Sequence, residues 1–469
     1  MAASPGVTLR RSPRLWVVPV VFVLFVWTMT THGKYSDSGD EPHYLLVAES
    51  LLSDHDLDLA NNYANGDARW FGADDLAPGL HARRARSGAL VSSHDVGLPL
   101  LILPVYAAAT RLAAHAPEDW LARVHQTRGL FAYSLISLAM TTATACAIWL
   151  LLRGVIRVAP RGAAMLVVGA MAFSPPVLSH AFLVFPETPA LWATCAALWL
   201  VCLRETELTF RRVLAVVAAV AVLPWLHRKY SFYVLGLVWL VAWRHRAWLM
   251  RQPRARVIAL GAVAVLPVVG LYLWTLDVWG NLAGPHMLGG SLFALDVVPR
   301  ATLGLLFDRE RGLFSAAPLF LVAPACWALS WRDSRPLAVP LLSLFAPLSA
   351  FVVWNAGFSP AARFLVPLAP LIALPIVQAL ANVVVRRTFT GLLVFQGAVT
   401  AYIWQHPRTL WPKELGTNQV LDAIPFIGPA YSRLLPSLLT GDPIWWGLLC
   451  AGGLAILTGG LVYLAGRKP

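Results

Sequence analysis

Along almost the whole chain, apolar runs about 20 residues long alternate with short polar joints, the spacing of helices that each cross an ~30 Å hydrocarbon core. The pattern predicts spans near 15–30, 126–152, 162–181, 187–203, 213–226, 230–243, 257–275, 311–330, 336–354, 364–385, 388–404 and 443–465. The expected fold is an all-α polytopic membrane protein of about 12 transmembrane helices, one domain over residues 1–469. One long polar stretch interrupts the rhythm. Residues 33–125 form a large first outer loop, expected to carry surface-lying, juxtamembrane helices, and they hold 13 of the 24 acidic residues. Within it, 96–114 is apolar enough to span but contains Pro99 and Pro104. If it crossed, the clusters Arg153/Arg157/Arg161 and Arg244/Arg246/Arg251/Arg254/Arg256 would fall outside, so a re-entrant or surface-lying helix is expected there.

Two runs depart from the common length. Runs 213–226 and 230–243, at ~14 residues and 1.5 Å rise each, reach only about 21 Å. The His227-Arg228-Lys229 joint between them is therefore expected below the outer surface, where non-helical backbone survives if it lines a cavity.

Composition agrees with a bilayer location: 58% of residues are apolar, 13% charged, and the mean hydropathy is +0.64. The formal charge of +13 reflects topology, because the arginines sit at the ends of apolar runs and form no stripe with interleaved aromatics; no nucleic acid is expected. Arg10, Arg11 and Arg14 place the N-terminus inside, and Arg211/Arg212, Arg386/Arg387 and Arg467/Lys468 follow, so both termini are cytoplasmic. No small-residue cleavage site follows the first run, which reads as an uncleaved span. The five cysteines lie in or beside apolar runs without metal-ligand spacing and read as packing residues. Arginine far outnumbers lysine, an association with bacteria of high genomic GC content, so a bacterial cytoplasmic membrane is the expected location.

Charges set among apolar residues carry the candidate chemistry, since an ionisable group at membrane depth costs about 2.5–3.5 kcal/mol unless it faces inward. Ser36-Asp37-Ser38-Gly39-Asp40-Glu41-Pro42-His43-Tyr44 starts a helix near the outer end of the first span; Asp40 serves as N-cap, as catalyst, or as both. Glu187 stands in Phe185-Pro186-Glu187-Thr188-Pro189, again at an outer helix start. Arg228 and Lys229 break the charge rule on the outer side, a conflict that a lipid phosphate would remove by charge-assisted hydrogen bonds. Arg363 is a third outer cation. His94-Asp95 reads first as a cap for the following helix. Asp54, Asp56 and Asp58 alternate like a calcium loop, but Leu59 stands where glycine is needed, so an ordinary turn is expected. No Walker loop, dinucleotide fingerprint, zinc-protease motif or nucleophile elbow occurs.

The order and shared membrane side of these features resemble the GT-C superfamily of membrane glycosyltransferases, which includes protein O-mannosyltransferases and lipid A aminoarabinose transferases. The likeness covers nearly the whole chain. Asp40-Glu41 resembles the family's acidic pair opening the first outer loop; His94-Asp95-Val96-Gly97-Leu98-Pro99 resembles its His-Pro-Pro-Leu-Gly stretch, with Asp-Val in place of Pro-Pro. Glu187 matches a later acidic residue, and Arg228-Lys229 match a basic residue between two short helices, with Tyr230 where the family has glycine. The resemblance implies an enzyme of the cell envelope, a glycosyltransferase acting at the outer face with inversion, which moves one sugar from a polyprenyl-phosphate donor to a glycan, lipid or protein acceptor. It implies catalytic roles for Asp40, Glu41 and Glu187, donor-phosphate binding by Arg228, Lys229 and Arg363, and substrate contacts from His43, Tyr44, His94 and His227. No cofactor is required; a divalent cation is compatible with the reading but not indicated. A transporter or flippase of lipid-linked sugars and a glycan polymerase or ligase are the alternatives; no internal repeat favours the former.

Overall fold

The computed structural model describes residues 13–29, 39–285 and 293–467. Arg10, Arg11, Lys468 and the start of the outer loop at 33–38 lie outside the described residues. In chain order, the elements that shape the site are α1 (Val17–Thr28), α2 (Glu41–Ser53), strands β1 (Ala82–Arg84) and β2 (Leu90–Ser92), α3 (Gly97–Ala114), α4 (Arg128–Val155), α5 (Glu187–Val201), α6 (Phe210–Ala221), α7 (Ser231–Arg244), α8 (Arg254–Trp279) and α9 (Ile444–Gly466). The class is all-α: β1 and β2, paired antiparallel, are the one sheet among the described residues. Among the described residues, four helices, α3, α4, α8 and α9, are long and apolar enough to cross a membrane.

Helix α4 forms the centre, with α1, α3 and α5 packed around it. Its first turn is capped by Thr127, whose hydroxyl accepts from the Leu130 N–H at 3.2 Å. Its buried hydroxyls bond carbonyls rather than lipid: Thr141 donates to Ser137 O at 2.9 Å, and Ser137 to Phe182 O at 2.8 Å. At the periphery the pattern inverts. Leu448, Leu449, Ile456 and Leu457 of α9, and Ile258, Leu266 and Leu273 of α8, are exposed. So extended an apolar face, on helices whose backbone groups bond internally, suits a lipid solvent.

Several expected elements take a different course. Residues 97–114 form one continuous helix, as a surface-lying one would, and it is also long and apolar enough to cross. Pro99 falls in its first turn, where the missing N–H costs nothing, and Pro104 is accommodated inside. The run 162–181 is helical over Arg161–Ala172, breaks at Pro175 and Pro176, and resumes for one turn over Val177–His180. The run 311–330 is broken into Leu313–Ala316, Pro318–Val322 and Ala323–Leu329, with Pro318 and Pro324 among its breaks. The first outer loop carries the β1–β2 hairpin in addition to helices. The short pair 213–226 and 230–243 appears as α6 plus one turn Leu223–Leu226, then the 3-10 turn Arg228–Tyr230, then α7.

Candidate functional site

Asp40 occupies the N-cap position of α2 with Pro42 in the first turn, yet its carboxylate makes no capping bond. It accepts instead from Arg363 Nη2 at 2.8 Å. Gly39 permits this approach. Its φ is +66°, and a Cβ there would stand 2.7 Å from Phe358 O, on the loop that leads to Arg363. Arg363 opens the 3-10 turn Arg363–Leu368 and lies over the Phe185 ring at 3.8 Å, a cation–π contact. Its Nε donates to Glu187 Oε1 at 3.1 Å, and Lys229 Nζ donates to the same oxygen at 2.6 Å. Glu187, in the first turn of α5, is wholly buried, whereas the Asp40 side chain is 19% exposed. Four distant segments thus deliver two carboxylates and two cations to one place, and Asp40 is its open side.

Arg228 takes another path. Its backbone N–H donates to Asp95 Oδ2 at 2.8 Å, its Nη2 to Asp95 Oδ1 at 2.7 Å and its Nη1 to Ala283 O at 2.7 Å. Asp95 is therefore an anchor for the 228–230 turn and makes no capping bond to α3, contrary to the capping expectation. Gly97 lets α3 start there, since a Cβ would meet Trp225 O at 2.3 Å. His227 caps the same turn, accepting from Lys229 N at 3.2 Å through Nδ1.

Beside Asp40 stand three histidines. The β1–β2 hairpin brings His81 and His94 together: Ser93 N donates to His81 O at 2.7 Å, and His81 Nδ1 lies 2.9 Å from His94 Nε2. Asp40 Oδ1 is 3.7 Å from the first nitrogen and 3.8 Å from the second. His43 stacks on His81 with centroids 3.9 Å apart, and its Nδ1 is 2.7 Å from Tyr63 Oη. Burial alone would raise the Asp40 carboxyl, but Arg363, with His94 and His81, holds it well below the usual carboxylate range. Burial, with the two neighbouring histidines, pushes His43 down to about 2, so its ring is neutral. Burial also lowers His81, against the opposing pull of Asp40.

Of the remaining residues singled out in the sequence, Tyr44 is buried with its ring 4.9 Å from His94 and its hydroxyl without a hydrogen-bond partner. Glu41 departs from the cluster: its Oε1 accepts from Tyr133 Oη at 3.1 Å and from Val184 N at 2.6 Å, tying α2 to α4 and to the segment before α5. Those bonds position α2 against its neighbours. Asp54, Asp56 and Asp58 are consumed by local bonds, among them Asn62 Nδ2 to Asp54 Oδ2 at 2.9 Å and Ala60 N to Asp58 Oδ1 at 3.1 Å, which makes them a turn. Sequence reading missed His81, which lies in the loop without a motif, and the turn residues Ser87-Gly88 are the one signal that pairs its strand with that of His94. It also missed Phe185 as the arginine platform. Asp40, His81 and His94 are the residues that could hold a metal ion among the described residues. Spacing along the chain shows no such set; the hairpin builds it.

Two further features complete the site. Glu187 Oε2 and the Tyr230 hydroxyl are buried with no hydrogen-bond partner, an arrangement that leaves hydrogen-bonding capacity in the cluster. A groove of 380 Å³ runs between α3, α4, α5 and α6, lined by Leu101, Met140, Thr188, Trp192, Leu223 and Leu226. Thr188 follows Glu187 in sequence, and Leu226 precedes the His227-Arg228-Lys229 turn. Comparison of the chain with protein-family models, with curated proteins and with solved structures returns no match.

Proposed function

We propose that the chain is a glycosyltransferase of the membrane, using a polyprenyl-phosphate-linked sugar at the outer face of a bacterial cytoplasmic membrane that it spans about 12 times with both termini inside. The observation that carries this reading is the convergence of Lys229 and Arg363 on one oxygen of Glu187, beside Asp40, with an apolar groove lined by Thr188, the residue that follows Glu187 in the chain. An amphiphile with an anionic head and an isoprenoid tail suits that pairing of chemistries. A buried cation pair balanced by carboxylates is a site that a phosphate can enter by exchange of partners.

In the proposed reaction the acceptor hydroxyl attacks the anomeric carbon, the new C–O bond forms with inversion, and the bond from the anomeric carbon to the phosphate oxygen breaks. The proton of the hydroxyl passes to Asp40. Lys229 and Arg363 take the charge of the departing phosphate. A carboxylate held by a guanidinium is a weak base, so Arg363 couples the two halves: as it turns to the phosphate, its hold on Asp40 loosens. Glu187 keeps both cations in place between turnovers. Arg228 contributes through Asp95 to the shape of the turn that presents Lys229.

The test is thermal stability of the detergent-purified protein with and without polyprenyl phosphate. A ligand at 100 times its Kd stabilises by about 2.7 kcal/mol, and the shift is expected in the wild type and not in a Lys229→Ala/Arg363→Ala variant. Absence of any shift in the wild type, with the lipid demonstrably delivered, would overturn the reading in favour of a transporter. Transfer from a polyprenyl-phosphate sugar, present in wild type and absent in Asp40→Asn, then separates catalysis from binding.

A further inference from the structure

The hairpin that closes the outer side of the cluster presents a ligand set, and we propose that His81 Nδ1, His94 Nε2 and Asp40 Oδ1 form a three-ligand site for a divalent ion of the zinc class. The three atoms are separated by 2.9, 3.7 and 3.8 Å. A point equidistant from all three lies about 2.0 Å from each, the length of a zinc bond to imidazole nitrogen or carboxylate oxygen. Two imidazoles and one carboxylate are the donors that such ions favour over calcium or magnesium, which take oxygen.

A hydrogen bond between the two rings accounts for their own 2.9 Å separation. It does not account for Asp40. A carboxylate drawn to one ring by a hydrogen bond would sit within about 3.2 Å of it, whereas Oδ1 stands almost equally far from both nitrogens. The surroundings also fit ligation. Asp40 Oδ2 accepts from Arg363, the kind of outer bond that ligating carboxylates carry. The plane of His81 is held by stacking on His43, itself fixed at Tyr63. His94 N donates to Ser92 Oγ at 3.1 Å, which fixes the end of the hairpin. The side chains of His81 and His94 are 33% and 14% exposed, so an ion can enter from the aqueous side. Three protein ligands with an open fourth position are the arrangement of catalytic zinc, not of structural zinc.

At that fourth position the acceptor hydroxyl would bind and be acidified, as a zinc-bound water is from 15.7 to about 7. Its proton would still pass to Asp40 as the new C–O bond forms. This role rests on the transferase reading; the binding of the ion does not.

The experiment uses the full-length, tag-free protein in detergent, stripped with chelator and dialysed against buffered zinc. Metal content is measured by mass spectrometry in wild type, His81→Gln/His94→Gln and, as a control at an exposed histidine outside the set, His115→Gln. About one zinc per chain is expected in wild type and in His115→Gln, with occupancy lower by roughly tenfold or more in the double variant. Equal zinc in wild type and double variant overturns the site. Should the double variant fail to fold, cobalt replaces zinc in the wild type: the visible bands of a four-coordinate cobalt site support the proposal, and their absence overturns it. Zinc bound without transfer from any lipid-linked sugar would remove the transferase reading and leave the metal site standing.

Discussion

Two buried clusters of opposite charges are built differently. In the second, Asp308 Oδ1 accepts from Glu310 N at 2.9 Å and Arg311 N at 2.8 Å, and its Oδ2 from Leu439 N at 3.0 Å. Glu310 accepts from Gly416 N at 2.9 Å, while Arg309 donates to Gly416 O at 2.9 Å and to Leu435 O at 2.7 Å. The partners there are mostly backbone. That network clamps the segment 405–442 to the 308–312 turn. Around Glu187 the bonds run from side chain to side chain, and Glu187 Oε2 and Tyr230 Oη are unpartnered. Backbone partners cannot leave without unfolding something; side-chain partners can be exchanged for a ligand. The two clusters thus teach that burial and charge alone do not mark a site, whereas the kind of partner does.

Substitutions can break this contrast. The largest expected effect is that of Asp40→Asn on transfer, a loss of about 10²–10⁴-fold in product formation with the folded fraction retained, since a proton acceptor is removed. Arg311→Ala should act on the other axis. Arg311 is 2% exposed, donates to Ser359 O at 2.6 Å and pairs with Glu414, which is itself half exposed, so about 1–3 kcal/mol of stability is expected to be lost for the buried acceptor left unpaired, read as a lower Tm, with activity per folded molecule kept. Asp308→Asn should cost about 1–3 kcal/mol for each backbone N–H left without its acceptor, measured the same way. Smaller again is Arg228→Ala, expected to raise the donor KM by roughly 10-fold through a loosened 228–230 turn, with little change in kcat. If Arg311→Ala abolished transfer in fully folded protein, or Asp40→Asn unfolded the chain, the division into exchangeable and fixed clusters would fail.

Much of the fold was legible because a hydrocarbon solvent leaves a strong mark: runs of ~20 apolar residues and arginines at their ends are read without tertiary knowledge. The joint at His227-Arg228-Lys229 was visible for the same reason, as two runs too short to stand alone. Helix breaks were less legible. Pro104 sits inside a continuous helix, while Pro318 and Pro324 accompany a broken one, and neighbouring packing decides which.

By itself the sequence determined the all-α class, the apolar helices and a short set of charges, Asp40, Glu187, Arg228, Lys229 and Arg363, whose presence among apolar residues demanded partners. Tertiary structure decided the partners. Arg363 and Asp40 are 323 residues apart in the chain, and Arg363 and Glu187 are 176 apart, so no local rule could pair them. It spent Arg228 on Asp95, turned Glu41 toward Tyr133 and Val184, and set His81 against His94 across a hairpin. The reason is that desolvation acts on each charge where it stands, and so is readable residue by residue, while Coulomb attraction and hydrogen bonding act over a few ångströms that only packing can set.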